Sequence, residues 1–332
     1  MRLGSEDALV EWLRQRSDRA GRALLGDDGA VISGRGEWAV TVDHQIADVH
    51  YPEGLDPALL ARRLLAVNCS DLAAMGARPR FAFLALAVPP NFDARRLFAS
   101  LLRACSHLGV ELAGGDLARS PTASASLTLM GRKQPRGHWL RRSHGRVGDG
   151  LWVGGTLGES AAGRLLLAQG SRMSGRRVDL PKAIGANRGV AAAARRAVRR
   201  HLLPIPQLDL GQWLSGRSRV AAIDLSDGLA LDLHRLCRES GVGATLTADF
   251  LPHPARFSDL CRVLEQDPLE LTLTGGEDYV LLFTLPPRQE PPPRFGCTRV
   301  GELTAKKSVR LVTTEGSQAL AARGWDHFAT DL

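Results

Sequence analysis

The chain has 332 residues, 44% of them hydrophobic and 23% charged, with a formal net charge of +8. That length allows two domains and a large core. No apolar run approaches the roughly 20 residues of a membrane span, and the acids in "MRLGSEDALVEWL" interrupt any signal-peptide core, so a cytoplasmic protein is expected.

The predicted elements start with a helix over residues 5–16. "WAVTVDHQI" (38–46) reads as a strand, with Val40 and Val42 alternating with Thr41 and Asp43. Residues 57–79 carry apolar residues at helical spacing and stop at Gly76 and Pro79. A buried strand over 80–89 follows, then an amphipathic helix over 94–109, a short strand into Gly114-Gly115-Asp116, and a strand over 124–133. The polar, glycine-bearing "RRSHGRVGDG" (141–150) connects this unit to a second. There the pattern predicts a strand from Gly150, helices over 159–169 and 187–203, and a strand into "IDLSDG". A helix over 229–239, a strand over 242–248, a helix over 255–265 and a strand over 278–285 come next. A proline-rich loop (286–294), a last strand pair and "GWDHF" close the chain. The expectation is an α/β protein of α+β type, with domains at 1–140 and 141–332.

The five cysteines form no CxxC pair, which argues for reduced, buried thiols rather than a zinc or redox site. The positive charge raises the question of a nucleic-acid partner. Only four of the 43 basic residues are lysines, and so uniform an arginine preference looks like compositional drift rather than a binding face, although the basic residues cluster at 136–146 and 194–203. Neither nucleic acid nor membrane is expected as a partner.

The acids are more telling. "GDDGA" (26–30), "TVD" (41–43), "CSD" (69–71), "GGD" (114–116), "DLSDG" (224–228) and "GGED" (275–278) read as strand-to-loop junctions ending in carboxylates. Magnesium takes carboxylates, waters and substrate phosphates as ligands, and glycine lets backbone or phosphate approach closely. A shared metal–phosphate site follows; the competing reading is a set of unrelated turn and cap aspartates. No GxxxxGK[ST], no GxGxxG and no protein-kinase motif set is present. A nucleotide bound here is held through metals and loop backbone.

Taken in order, "GDDGAVI", "TVD…ADVHY", "LAVNCSDLAAMGARP", "GGDLARS", "RRSHGRVGD", "IDLSDGL", "GGEDYVLLFT" and "GWDHF" closely resemble the thiamine-monophosphate kinase family. That family belongs to the aminoimidazole-ribonucleotide-synthetase-like ATP-binding superfamily. The resemblance implies a homodimer whose N-terminal sheets pair across the interface, and a C-terminal α/β domain. It implies direct transfer of the ATP γ-phosphoryl to thiamine phosphate, with several Mg²⁺ ions and no side-chain nucleophile. By the same resemblance Asp28, Asp43, Asp71, Asp116, Asp224 and Asp227 hold magnesium, with Thr41 as a further oxygen ligand. Gly115, Asp116, Arg142 and Ser226 contact ATP, and His50, Glu277 and Trp325 contact thiamine phosphate. Asp27 and Asp278 read instead as structural partners of their neighbours. Val42, His44, Gln45, Leu117 and Ala118 depart from the family pattern. Other members of the superfamily remain the nearest alternatives: selenophosphate synthetase, which would need a reactive Cys and Lys near the start, a hydrogenase-maturation carbamoyl dehydratase, which would end in cysteine, and a purine-pathway synthetase.

Overall fold

The computed structural model describes residues 27–28, 30–34, 36–186 and 188–326. The helix expected over 5–16, and the last two residues of "GWDHF", lie outside them. Two sheets carry the architecture, each drawing on a separate stretch of chain.

The first sheet comprises β1 (Ala30–Gly34), β2 (Gly36–Ile46), β3 (Ala77–Val88), β4 (Glu111–Arg119) and β5 (Ser124–Lys133). Their order is β1-β2-β5-β3-β4, antiparallel except where β4 runs parallel to β3. A parallel neighbour needs a crossover, and α2 (Ala94–Leu108) supplies it. Asp93 caps its start by accepting from Arg96 N at 2.9 Å, and Gly109, at φ +67°, ends it in the left-handed region that glycine tolerates. Pleating alternates the side chains of β3 and β5, so Ala82, Leu84 and Leu86 face inward beside Ala125, Leu127 and Leu129. The opposite face is open, with Val42 60% and Phe83 37% exposed.

The sheet's inner face is covered by α1 (Pro57–Ala74). Asp56 caps it and Pro57 takes the first turn, where its missing N–H costs nothing. Most of α1 is buried all round, because one side lies on β2 and β5 and the other meets the second half of the chain. It ends at Ala74, and the next strand starts at Ala77 and runs through Pro79, earlier than the sequence pattern indicates.

The second sheet comprises β6 (Gly150–Gly154), β9 (Ala222–Asp224), β10 (Gly243–Thr247), β11 (Leu281–Leu285), β12 (Cys297–Thr304), β13 (Val309–Thr313) and β14 (Gly316–Ala319). Its order is β14-β13-β10-β12-β6-β11-β9. A hairpin of β7 (Arg172–Ser174) and β8 (Arg177–Asp179) lies apart from it. The helices of this half are α3 (Glu159–Ala168), α4 (Lys182–Gly185), α5 (Arg188–Leu202), α6 (Leu208–Ser215), α7 (Leu229–Ser240), α8 (Phe257–Val263) and α9 (Pro268–Thr274). β1, the hairpin, α4, α6 and α9 were not expected from the sequence, and the expected last strand pair is three strands, β12, β13 and β14. Among the described residues no helix is long and apolar enough to cross a membrane.

Candidate active site

Polar side chains occupy the inward face of β2 where a core strand would carry aliphatic ones. Thr41 and Gln45 are buried while Val42 points outward. Below them the C-terminal half of α1 brings Asn68 and Asp71. Asn68 Oδ1 accepts from Asp43 N at 3.2 Å, and Thr41 Oγ1 donates to Asp71 Oδ2. The hydroxyl of Thr41 therefore orients Asp71.

Carboxylate oxygens of Asp28, Asp71 and Asp224 all lie within 4.8 Å of one another. Asp224 ends β9 beneath this group, and its Oδ2 has no hydrogen-bond partner among the described residues. Burial raises the pKa of Asp71 and of Asp224 well above the carboxylate range, and neighbouring aspartates add to it. Burial likewise lifts Asp43 to about 6, against the pull of Arg63. Such a cluster is stable only with protons or cations on it. All-oxygen donors around an orphaned buried carboxylate oxygen suit a hard divalent ion.

The paired acids of the 27–28 turn each have an arginine. Asp27 accepts from Arg141 Nη1 at 2.8 Å and from Arg142 N at 3.0 Å. Arg142 grips Asp28 with Nε at 3.2 Å and Nη2 at 2.9 Å. Its planar fork is thus spent on a carboxylate. Both oxygens of Asp27 are thus taken by the 141–142 segment, and Asp278 accepts from Gly158 N at 2.8 Å and Ser160 N at 3.4 Å at the start of α3.

Asp43, Asp71, Asp227, Ser226, His50, Glu277 and Trp325 all line one cavity of about 220 Å³. His50 Nδ1 accepts from Ile46 N at 3.1 Å, which leaves Nε2 as the protonated nitrogen of the neutral ring. Asp227 pairs with Arg235, and Asp232 Oδ2 accepts from the backbone N–H groups of Asp227 and Gly228 at 3.1 and 3.2 Å. Trp325 N donates to Asp227 O at 2.8 Å, and a Cβ on Gly324 would strike that same carbonyl. The tail is fastened to the β9–α7 turn by close approach.

Three corrections to the sequence reading follow. Asp43 lies inside β2, Asp71 on a helix and Asp116 inside β4, so these are not strand-to-loop junctions. Gly114-Gly115-Asp116 is likewise strand, not turn; Gly115 is required because a Cβ there would hit the Leu84 backbone. Gly115 and Asp116 also stand apart from the other acids. Asp116 shares a row with Ala85, Ser126 and His44, three strand spacings from β2, or roughly 14 Å. The reading missed Arg63, His201 and Arg164. Arg164 lines the cavity and makes no hydrogen bond or ion pair among the described residues.

Residues 26–132, which hold nearly all of the first sheet and the acids Asp28, Asp43 and Asp71, match the model of the AIR synthase related protein N-terminal domain. Over 335 aligned positions the chain is 36% identical to thiamine-monophosphate kinase of Escherichia coli strain K12, covering 96% of this chain and 95% of that one. AaThiL complexed with AMPPCP and TMP superposes with a TM-score of 0.84 at 26% identity, over 98% of each chain. Thiamine-monophosphate kinase from Stenotrophomonas maltophilia K279a superposes with a TM-score of 0.71 at 32% identity, over 92% of this chain and 96% of that one. The chain belongs to the thiamine-monophosphate kinase family.

Proposed function

We propose that the cavity transfers the γ-phosphoryl group of ATP to thiamine phosphate, giving thiamine diphosphate and ADP. The carrying observation is the convergence of Asp28, Asp71 and Asp224 beside a cavity that also holds His50, Glu277 and Trp325. Transfer between two phosphates concentrates negative charge, and the protein's part is positioning and neutralisation. Asp28, Asp43, Asp71, Asp224 and Asp227 are the residues we assign to hold Mg²⁺, with Thr41 and Arg142 orienting Asp71 and Asp28. Held there, such ions would supply charge neutralisation at the phosphate oxygens. Ser226 contributes to the nucleotide site from the β9–α7 turn, and Arg142 borders it. Trp325 offers an aromatic face to the thiazolium cation, while His50 and Glu277 complete the acceptor end.

Gly115 and Asp116 fit this scheme through a homodimer. The open face of the first sheet, with Val42 and Phe83 outward, meets its counterpart in a second copy and carries β4 to the partner's crevice. We also take the division near residue 140 as the boundary between a domain supplying Asp43 and Asp71 and one supplying Asp224, Asp227 and Glu277.

Product analysis with ATP, Mg²⁺ and thiamine phosphate tests the reaction. Free thiamine is expected to be a poor acceptor, because the site is built around an acceptor phosphate; faster turnover of free thiamine would refute the assignment. Mixing Asp43→Asn with Asp116→Asn chains tests the shared site, since only a site drawn from two chains recovers activity on mixing.

A further inference from the structure

Arg63 is a charge set where the neighbouring positions are Leu60, Leu64 and Val67. It lies mid-way along α1 with a side chain 0% exposed. Its Nε donates to Gln45 Oε1 at 2.8 Å, Nη1 to the carbonyl of His201, and Nη2 to Glu277 Oε1. A buried guanidinium persists only with its charge compensated and its donors satisfied, and Glu277 supplies the charge.

The other oxygen of Glu277, Oε2, lies 3.1 Å from His201 Nδ1. Burial first, and then Arg63 and Arg164, hold the His201 pKa down near 4 despite Glu277, so the ring is neutral. A neutral imidazole has one N–H, and an ionised carboxylate only accepts. Nδ1 therefore carries the proton and gives it to Glu277, with Ser160 Oγ 3.3 Å from the same nitrogen.

The backbone adds a third restraint. Glu277 has φ +58°, a left-handed conformation that a side-chain-bearing residue adopts at a cost. Its N–H donates to Ser226 O at 2.6 Å, which ties the loop to the β9–α7 turn. Glu277 nonetheless keeps 21% of its side chain exposed and lines the cavity. Each carboxylate oxygen has a second lone pair, and those left over by Arg63 and His201 serve a ligand.

We infer that Arg63 and His201 are positioning residues for the acceptor: between them they hold both oxygens of Glu277, so that its remaining lone pairs meet thiamine phosphate in one orientation. This rests on reading the cavity as the thiamine phosphate site. A carboxylate fixed beforehand loses no rotamer freedom when the acceptor arrives.

The test is steady-state kinetics of the full chain with ATP and thiamine phosphate, comparing His201→Leu, His201→Asn and Glu277→Gln. Leucine removes the donor; asparagine puts an amide nitrogen where Nδ1 stood. Losing one charge-assisted hydrogen bond corresponds to a rise of roughly 10-fold in the acceptor KM. His201→Leu should show that rise without a matching rise in the ATP KM, His201→Asn should recover most of it, and Arg63→Lys should resemble His201→Leu. In a Glu277→Gln background His201→Leu should add little, because the two act as one unit. A rise in both KM values alike, or an undiminished rise in the Glu277→Gln background, overturns the inference. If circular dichroism shows His201→Leu unfolded, His201→Gln replaces it, with its amide at the Nε2 position and away from Glu277, and the same effects are expected. A wild-type chain that does not turn over thiamine phosphate refutes the site reading itself, and the inference with it.

Discussion

Replacing Asp43 by asparagine should stabilise the metal-free protein while it removes activity. Folding lifts the Asp43 pKa from 3.8 to about 6, mainly by burial, with Asp227 and Asp28 adding and Arg63 opposing. Well below the lower value the carboxyl is protonated whether the chain is folded or not, and nothing is lost. Between the two values the unfolded chain ionises and the folded one does not, so stability falls as pH rises. Above the upper value both are ionised and the full penalty stands. A rise of about two units corresponds to about 3 kcal/mol. In a chelator, Asp43→Asn should match the wild type at about pH 3 and exceed it by up to about 3 kcal/mol at about pH 8. Urea denaturation at several pH values measures both. Magnesium should narrow the gap, since it stabilises the folded wild type by mass action and has one ligand fewer in the variant. A gap that does not change with pH, or a variant less stable than the wild type under alkaline chelation, would refute the reasoning. Activity bought with stability in this way is a familiar pattern at functional sites.

Trp325→Ala should raise the thiamine phosphate KM by about 2- to 30-fold, the worth of a cation–π contact, and leave the ATP KM nearly unchanged; an equal rise in both would show Trp325 to be a clasp for the tail. Arg142→Met strips a fork from Asp28 in a pair whose side chains are 17% and 3% exposed. Urea denaturation should show a loss of about 3–5 kcal/mol, and a loss under about 1 kcal/mol would place the pair with solvated surface bridges. Gly276→Ala puts a Cβ 2.8 Å from Ser226 O on a residue at φ +67°. It should cost at least about 1 kcal/mol and lower kcat/KM for the acceptor by displacing Glu277; kinetics and melting unchanged from wild type would show that the loop relaxes freely.

The strands and long helices were readable because their side chains obey one period. β5 over 124–133 and the start of α2 at Ala94 stand where alternation and helical spacing put them. The short α6 and α9 carry too few turns to show a period. β2 misled for a different reason: its valines suggest an apolar inner face, whereas Thr41 and Gln45 face inward and Val42 outward. The inner face there is the site. The acids themselves were legible as residues and spacing, but not their elements, because glycines beside Asp116 look the same in a turn and in a tightly packed strand. Arg63 was out of reach. In "LARRLLAV" it follows Arg62, and one of the two is exposed and the other fully buried. Only the fold, by bringing Glu277 across 214 residues of sequence, separates them.

That separation sets an order in time. A chain is synthesised from its N-terminus at roughly 5–20 residues per second, so Glu277 leaves the ribosome roughly 10–40 s after Arg63. Throughout that interval α1 carries Arg63 without Glu277, its ion-pair partner, and the β9–α7 turn that fixes the Glu277 backbone is still being made. The first sheet and α2 have all their residues once β5 is made, whereas α1 gains its contact with Glu277 only when the loop at 275–279 arrives. The last side chain of the cavity, Trp325, then docks on a turn already in place. A nascent chain halted before residue 277 therefore carries α1 without the ion-pair partner of Arg63.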